Sequence, residues 1–126
     1  WRYGLTDPVP YVTAQGDARA FEARYFGRRV IYLLGGNDID PNHSALDKSC
    51  AGEAQGAFRL ERGNNYFAHL LRRAKAQNLT LRHSRVEVPG VGHEAERMFS
   101  SVCGKAALFD TAGCDMKPGE AMTAPK

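Results

Sequence analysis

Arg29-Val30-Ile31-Tyr32-Leu33-Leu34 is an almost unbroken apolar run set between Gly27 and the Gly35-Gly36 pair. A run this short, rich in β-branched and aromatic side chains, predicts a strand buried on both faces of a parallel sheet. A second strand is predicted over Leu81–Val88, where Leu81, His83, Arg85 and Glu87 alternate with Arg82, Ser84, Val86 and Val88. Its mixed polarity suits a position near the sheet edge. Between the two, Phe67, Leu70, Leu71 and Ala74 recur at helical spacing while Arg72, Arg73 and Lys75 fall on other faces, which predicts a helix from Asn65 to about Gln77 capped by Asn64. Asp17 caps a predicted helix Ala18–Phe26 that Gly27 ends. A last helix is expected from Glu94 to about Phe109, apolar at Met98, Phe99, Val102, Ala106 and Leu108, with an interruption near Gly104.

Three stretches lack periodicity. Residues 1–17 carry Gly4, Pro8, Pro10 and Gly16 and read as an irregular surface segment, with Trp1, Tyr3, Tyr11 and Val12 packing on a surface the chain does not itself supply. Residues 42–62 read as a long loop or short helical turns, long enough to be functional, with Phe58 and the nearby Tyr66 lining one side of a pocket. Residues 111–126, after a domain spanning 1–110, read as an extended tail that Cys114 could staple.

The alternation of strand and helix makes this an α/β chain. A strand–helix–strand unit in a parallel sheet carries the loops after both strands to one sheet rim, the rim where open α/β sheets place their chemistry. The first such loop is Gly35-Gly36-Asn37-Asp38-Ile39-Asp40-Pro41 and the second is Pro89-Gly90-Val91-Gly92-His93. The topology therefore brings Asp38 and His93 to the same rim. An imidazole on a glycine loop at a strand end suits a general base. A carboxylate that accepts from its ring fixes the tautomer and stabilises the imidazolium.

Bulk properties narrow the classes. With 126 residues the chain is at most one domain, and 43% hydrophobic and 25% charged residues are ordinary for a globular protein. A net charge of +3 without a dense Lys/Arg block gives nucleic-acid binding little support. No apolar run approaches the roughly 20 residues a membrane span needs. Cys50, Cys103 and Cys114 have no CxxC spacing, so a zinc site is not expected. One disulfide with a thiol left over would suit an oxidising compartment, and three buried thiols are the alternative. The sequons at Asn42 and Asn78 matter only in a eukaryotic secretory route.

An acid and a base need a nucleophile, and the chain has no Gly-x-Ser-x-Gly elbow. Val30–Pro41, with its strand and Gly-Gly-Asn-Asp loop, resembles the acid-bearing seventh strand of the α/β-hydrolase superfamily. Val86–Phe109, with Val-Pro-Gly-Val-Gly-His, resembles that superfamily's eighth strand, histidine loop and final helix. The family order is Ser, then acid, then His, and this chain has the last two in that order. Trp1-Arg2-Tyr3-Gly4-Leu5, Leu46–Ala51 and Arg59–Gly63 are similar to a group of often secreted microbial hydrolases. The resemblance implies the C-terminal part of an α/β-hydrolase domain, with His93 as triad base, Asp38 as triad acid and Asp40 as the fallback acid. It implies ester or amide hydrolysis on a small molecule or polymer, no metal or cofactor, and a secreted or periplasmic location. It also implies a partner: an N-terminal chain of the same hydrolase that carries the serine, this chain being one product of a cleaved polypeptide.

Two other classes compete. A binding module that keeps the fold without catalysis predicts no serine-reactive site. A metal hydrolase would use Asp38, Asp40, His43 and His93, an Asp-x-Asp-x-x-His cluster plus the second histidine.

Overall fold

The computed structural model describes residues 9–14, 16–119 and 121–123. Trp1 and Tyr3 lie outside the described residues. Tyr11, within the short helix α1 (Pro10–Thr13), is exposed.

The order is then α2 (Ala18–Phe26), β1 (Val30–Gly35), α3 (Cys50–Glu53), α4 (Arg59–Ala76), β2 (His83–Val88), α5 (Ala95–Ser100), α6 (Val102–Phe109) and β3 (Ala121–Thr123). The strands form one parallel sheet in the order β1-β2-β3, with Val30 opposite His83, Gly35 opposite Val88, and Val86 opposite Met122.

Side-chain alternation along a strand separates two layers. Tyr32 and His83 point toward α2 and α4, joining Phe26, Phe67, Leu70, Ala74 and Leu81. Leu33, Val86 and Val88 point the other way, onto Val91, Met98 and Cys103. Helices on both faces of a parallel sheet are the layer arrangement that buries both strand faces.

The placement of the two predicted strands is reversed. β2 is central and almost wholly buried, whereas Val30–Leu34 of β1 are only half-buried, with no neighbour on the outer edge among the described residues. The alternating polarity of β2 reads as an edge signal, but His83, Arg85 and Glu87 each have a partner inside. Nδ1 of His83 bonds the Tyr32 hydroxyl at 3.1 Å and Nε2 bonds the Tyr25 carbonyl at 2.8 Å. A carbonyl only accepts, so the ring hydrogen sits on Nε2 and Nδ1 accepts from Tyr32. The Tyr32 oxygen then takes the Tyr25 hydroxyl at 2.7 Å, and Tyr25 takes that of Tyr66 at 3.2 Å. Burial pushes Tyr25 and Tyr32 up to about 12 and raises Tyr66 too; burial lowers His83, against the opposing hydrogen bond to Tyr25. On the same face, Arg85 and Glu87 pair at 2.7 Å, and both bond Asn64 of α4.

Asn64 is therefore not a cap. α4 starts six residues earlier than the predicted Asn65, and Phe58 at its N-cap offers no side-chain bond. The start is tied to residues outside the helix: Glu61 reaches back to the Ala57 N–H at 2.5 Å, and the Leu60 N–H donates to the Asp38 carbonyl at 3.1 Å. Residues 42–58 are tethered rather than loose. Leu46 is buried, and Arg62 donates to the carbonyls of Asp47 at 2.9 Å and Gly56 at 2.8 Å.

The last helix is broken at Ser101, not at Gly104. Ser101 ends α5 and caps α6 through its side chain, which accepts from the Gly104 N–H at 2.9 Å. Gly104 explains how closely the two pieces fold together, since a Cβ there would sit 2.1 Å from the Met98 carbonyl oxygen. The segment expected as an extended tail is held twice, by a Cys103–Cys114 disulfide and by β3 alongside β2. Cys50 is an exposed thiol.

Candidate active site

Two loops build the rim at the C-terminal ends of β1 and β2, and their backbones are bonded to each other. The Gly36 N–H donates to the Val88 carbonyl at 2.9 Å and the Asn37 N–H to the Val91 carbonyl at 2.8 Å. The loops cross so closely at Gly35 that a Cβ there would lie 2.4 Å from the Gly92 carbonyl oxygen and 2.6 Å from that of Val91. No other residue fits at that crossing.

The histidine loop turns at Gly90, whose φ of +71° L side chains rarely adopt. Gly92 has no such conformation; its N–H donates to Glu94 Oε2 at 2.9 Å. Arg97 of α5 donates to the Gly90 carbonyl at 2.8 Å. Glu94, at the N-cap of α5, thus holds the loop directly.

Asp38 and His93 meet. Nδ1 of His93 lies 2.9 Å from Oδ2 of Asp38, with Asp38 only 11% exposed at its side chain and His93 57% exposed. A carboxylate only accepts, so Nδ1 carries the ring hydrogen and Nε2 holds the lone pair. Nε2 has no hydrogen bond among the described residues. His93 stands at an open cavity of about 330 Å³ lined also by Leu34, Asp38, Arg59, Leu60 and Phe99. Such an imidazole can take a proton at Nε2 while the carboxylate stabilises the cation that results.

Asp38 is held from four directions. Its N–H donates to Gly35 and its carbonyl accepts from the Leu60 N–H, both at 3.1 Å. Its carboxylate faces His93 on one oxygen and Nη1 of Arg59, at 3.3 Å, on the other. Arg59 and Leu60 open α4, which the expected helix start at Asn65 left in a loop. Phe58 and Tyr66 do not line the cavity; Arg59 and Leu60 stand there, and Tyr66 is turned into the tyrosine cluster.

The other candidates are otherwise engaged. Asp40 is exposed and its Oδ1 accepts from the Asn42 N–H at 2.8 Å, the local turn expected of Asp before Pro. Nδ1 of His43 accepts from the Ala45 N–H at 3.1 Å and faces Arg59 Nη2 at 3.3 Å. Among the described residues, no group of three or more His, Cys, Asp or Glu side chains is placed to hold a metal ion.

The chain matches no protein-family model and no curated protein sequence. It does resemble solved hydrolase structures. With poly(aspartic acid) hydrolase-1 from Sphingomonas sp. KT-1 it shares 28% identity and a TM-score of 0.62, over 75% of this chain and 33% of that one. With the poly(3-hydroxybutyrate) depolymerase from Bordetella parapertussis it shares 31% identity and a TM-score of 0.61, over 70% of this chain and 29% of that one. The chain thus spans about a third of the length of these α/β-hydrolase-type enzymes. No helix among the described residues is long and apolar enough to cross a membrane.

Proposed function

We propose that this chain supplies the acid and the base of a serine hydrolase, Asp38 and His93, to a nucleophilic serine carried on an N-terminal chain of the same enzyme. The observation that carries the reading is the 2.9 Å contact of His93 Nδ1 with Asp38, which leaves Nε2 without a hydrogen bond among the described residues on a ring that lines the cavity. Nε2 takes the proton of the incoming serine as its oxygen attacks an ester or amide carbonyl, and returns it to the leaving alcohol or amine. Asp38 holds the tautomer and stabilises the imidazolium between these steps.

Three further observations support a missing partner. β1 has an unpaired outer edge among the described residues and is half-buried along an apolar sequence. An open strand edge is a template for another strand. Ile39, Phe99, Val102, Leu108 and Phe109 are exposed. The chain also spans only about a third of the hydrolases it resembles. Their names make a polymer of linked acid units one substrate class for the assembled enzyme, beside small esters and amides. The Cys103–Cys114 disulfide fits a secreted or periplasmic enzyme.

The test is a fluorophosphonate probe applied to the natively purified protein, followed by denaturing intact-mass measurement. We expect the label on a larger chain that travels with this one, and none when His93→Ala is introduced. A folded 126-residue chain travelling alone and unlabelled would overturn the proposal in favour of a binding module.

A further inference from the structure

We infer that Arg59 is a positioning residue of this acid–base pair: it occupies Oδ1 of Asp38 so that Oδ2 stays on His93. The inference rests on the roles proposed above for Asp38 and His93.

The first turn of α4 grips the acid by both its main chain and its side chain. Leu60 donates its N–H to the Asp38 carbonyl at 3.1 Å while Arg59 meets the carboxylate at 3.3 Å. The N-terminus of a long helix also favours a negative charge set against it. The guanidinium is itself held. Its Nη2 faces Nδ1 of His43 at 3.3 Å, so one planar group is divided between two acceptors. Both donors to His43 can only donate, so its Nδ1 carries the lone pair and its ring hydrogen sits on Nε2. That ring stands edge-on to His93 at 6.0 Å.

Arg59 is the cation of the cavity wall, and a substrate carboxylate is the obvious alternative ligand. Its side chain is only 18% exposed, however, and two of its nitrogens already face protein acceptors. A carboxylate with one oxygen unheld can rotate about its Cβ–Cγ bond. Loss of alignment of about 1 Å at a reacting group costs on the order of 100-fold in rate.

The experiment uses the assembled protein, this chain with the segment that carries the nucleophile. Inactivation by a fluorophosphonate is followed to saturation in the wild type, Arg59→Met, Arg59→Lys and His93→Ala, separating the maximal rate from the half-saturating concentration. The low-field imidazole proton signal that His93→Ala removes is recorded alongside. Arg59→Met should lower the maximal rate about 10- to 100-fold, leave half-saturation within about twofold, and broaden or abolish the low-field signal. Arg59→Lys, which keeps the charge near Oδ1, should recover most of the rate and the signal. Should Arg59→Met fail to fold, Arg59→Gln carries the same expectation. An unchanged maximal rate in Arg59→Met, with His93→Ala inert, would overturn the role of Arg59 alone. So would a raised half-saturation at unchanged rate, which marks a substrate-binding group. A wild type that takes up no probe would overturn the underlying reading and this one with it.

Discussion

Asp38→Asn probes the tautomer argument most directly, because the neighbours of Asp38 dictate how the introduced amide must point. One carboxylate oxygen faces Arg59 at 3.3 Å and the other faces His93 at 2.9 Å. A guanidinium only donates, so the amide oxygen is drawn to Arg59 and the amide NH₂ is turned to His93. That NH₂ donates as well. Nδ1 must then surrender its hydrogen and accept, and the hydrogen moves to Nε2. The atom that should take the serine proton is already protonated. The wrong tautomer at such a site costs about 10⁴-fold in kcat, or about 5.4 kcal/mol at 1.36 kcal/mol per decade. The loop itself is held by main-chain bonds that the substitution leaves alone, from Gly36 to Val88 and from Leu60 to Asp38.

The same logic makes a prediction that simple additivity does not. Adding Arg59→Met to Asp38→Asn removes the donor that oriented the amide. Its oxygen can then turn to Nδ1 and restore the tautomer with the lone pair on Nε2. The double variant should be faster than Asp38→Asn alone by about 10-fold or more, although each change by itself lowers the rate. The assay is fluorophosphonate inactivation of the assembled protein, with p-nitrophenyl acetate turnover as a second readout. A double variant as slow as Asp38→Asn, or an Asp38→Asn variant within about tenfold of the wild type, would refute the reasoning.

Gly35→Ala puts a methyl carbon 2.4 Å from the Gly92 carbonyl oxygen; the crossed loops must part, and we expect a loss of about 1–3 kcal/mol in denaturant unfolding with a larger fall in fluorophosphonate reactivity. Stability should also decline in acid. Burial lowers the proton affinity of both His83 and His69 in the folded state, so the unfolded chain binds more protons below its ordinary histidine value of about 6.5. Their contribution is full above that value and is lost as pH falls through it toward the lower folded values. Urea midpoints at about pH 7.5 and pH 5.5 check this, and a midpoint that rises in acid would contradict it.

The two loops were legible in the sequence because punctuation and topology act together there. Gly35-Gly36 stops β1, Pro89-Gly90 stops β2, and a parallel crossover through α4 leaves both stops at one rim. The start of α4 was not legible. Its N-cap is Phe58, whose side chain makes no cap bond, and the helix start is held instead by Glu61 reaching back to Ala57 and by Leu60 donating to the Asp38 carbonyl. A search for Ser, Thr, Asp or Asn settles on Asn64, one turn and more too late, and with it Arg59 and Leu60 are consigned to a loop. The edge assignment of β2 failed for a related reason. Polarity in a strand signals solvent only if the polar groups lack internal partners, and here Tyr32, Tyr25 and Asn64 supply them from other elements. β3 carries too little pattern in three residues to be seen, and its position depends on pairing with β2.

The two members of the pair are held very differently, and the difference bears on what the site lacks. The side chain of Asp38 is 11% exposed and meets Arg59 and His93, while its main chain is fixed to Gly35 and Leu60. His93 is 57% exposed, and its ring makes one hydrogen bond among the described residues. A group that stabilises a cation has to stay still, and the contacts around Asp38 hold it in place. A group that exchanges a proton with something arriving from outside must keep one nitrogen uncommitted. What this chain supplies to the His93 ring lies on the Nδ1 side, and Nε2 has no hydrogen bond among the described residues. In the proposed reading the place beside Nε2 is that of the serine. In that same reading, one N-terminal chain would meet both the outer edge of β1, unpaired among the described residues, and the uncommitted nitrogen of His93.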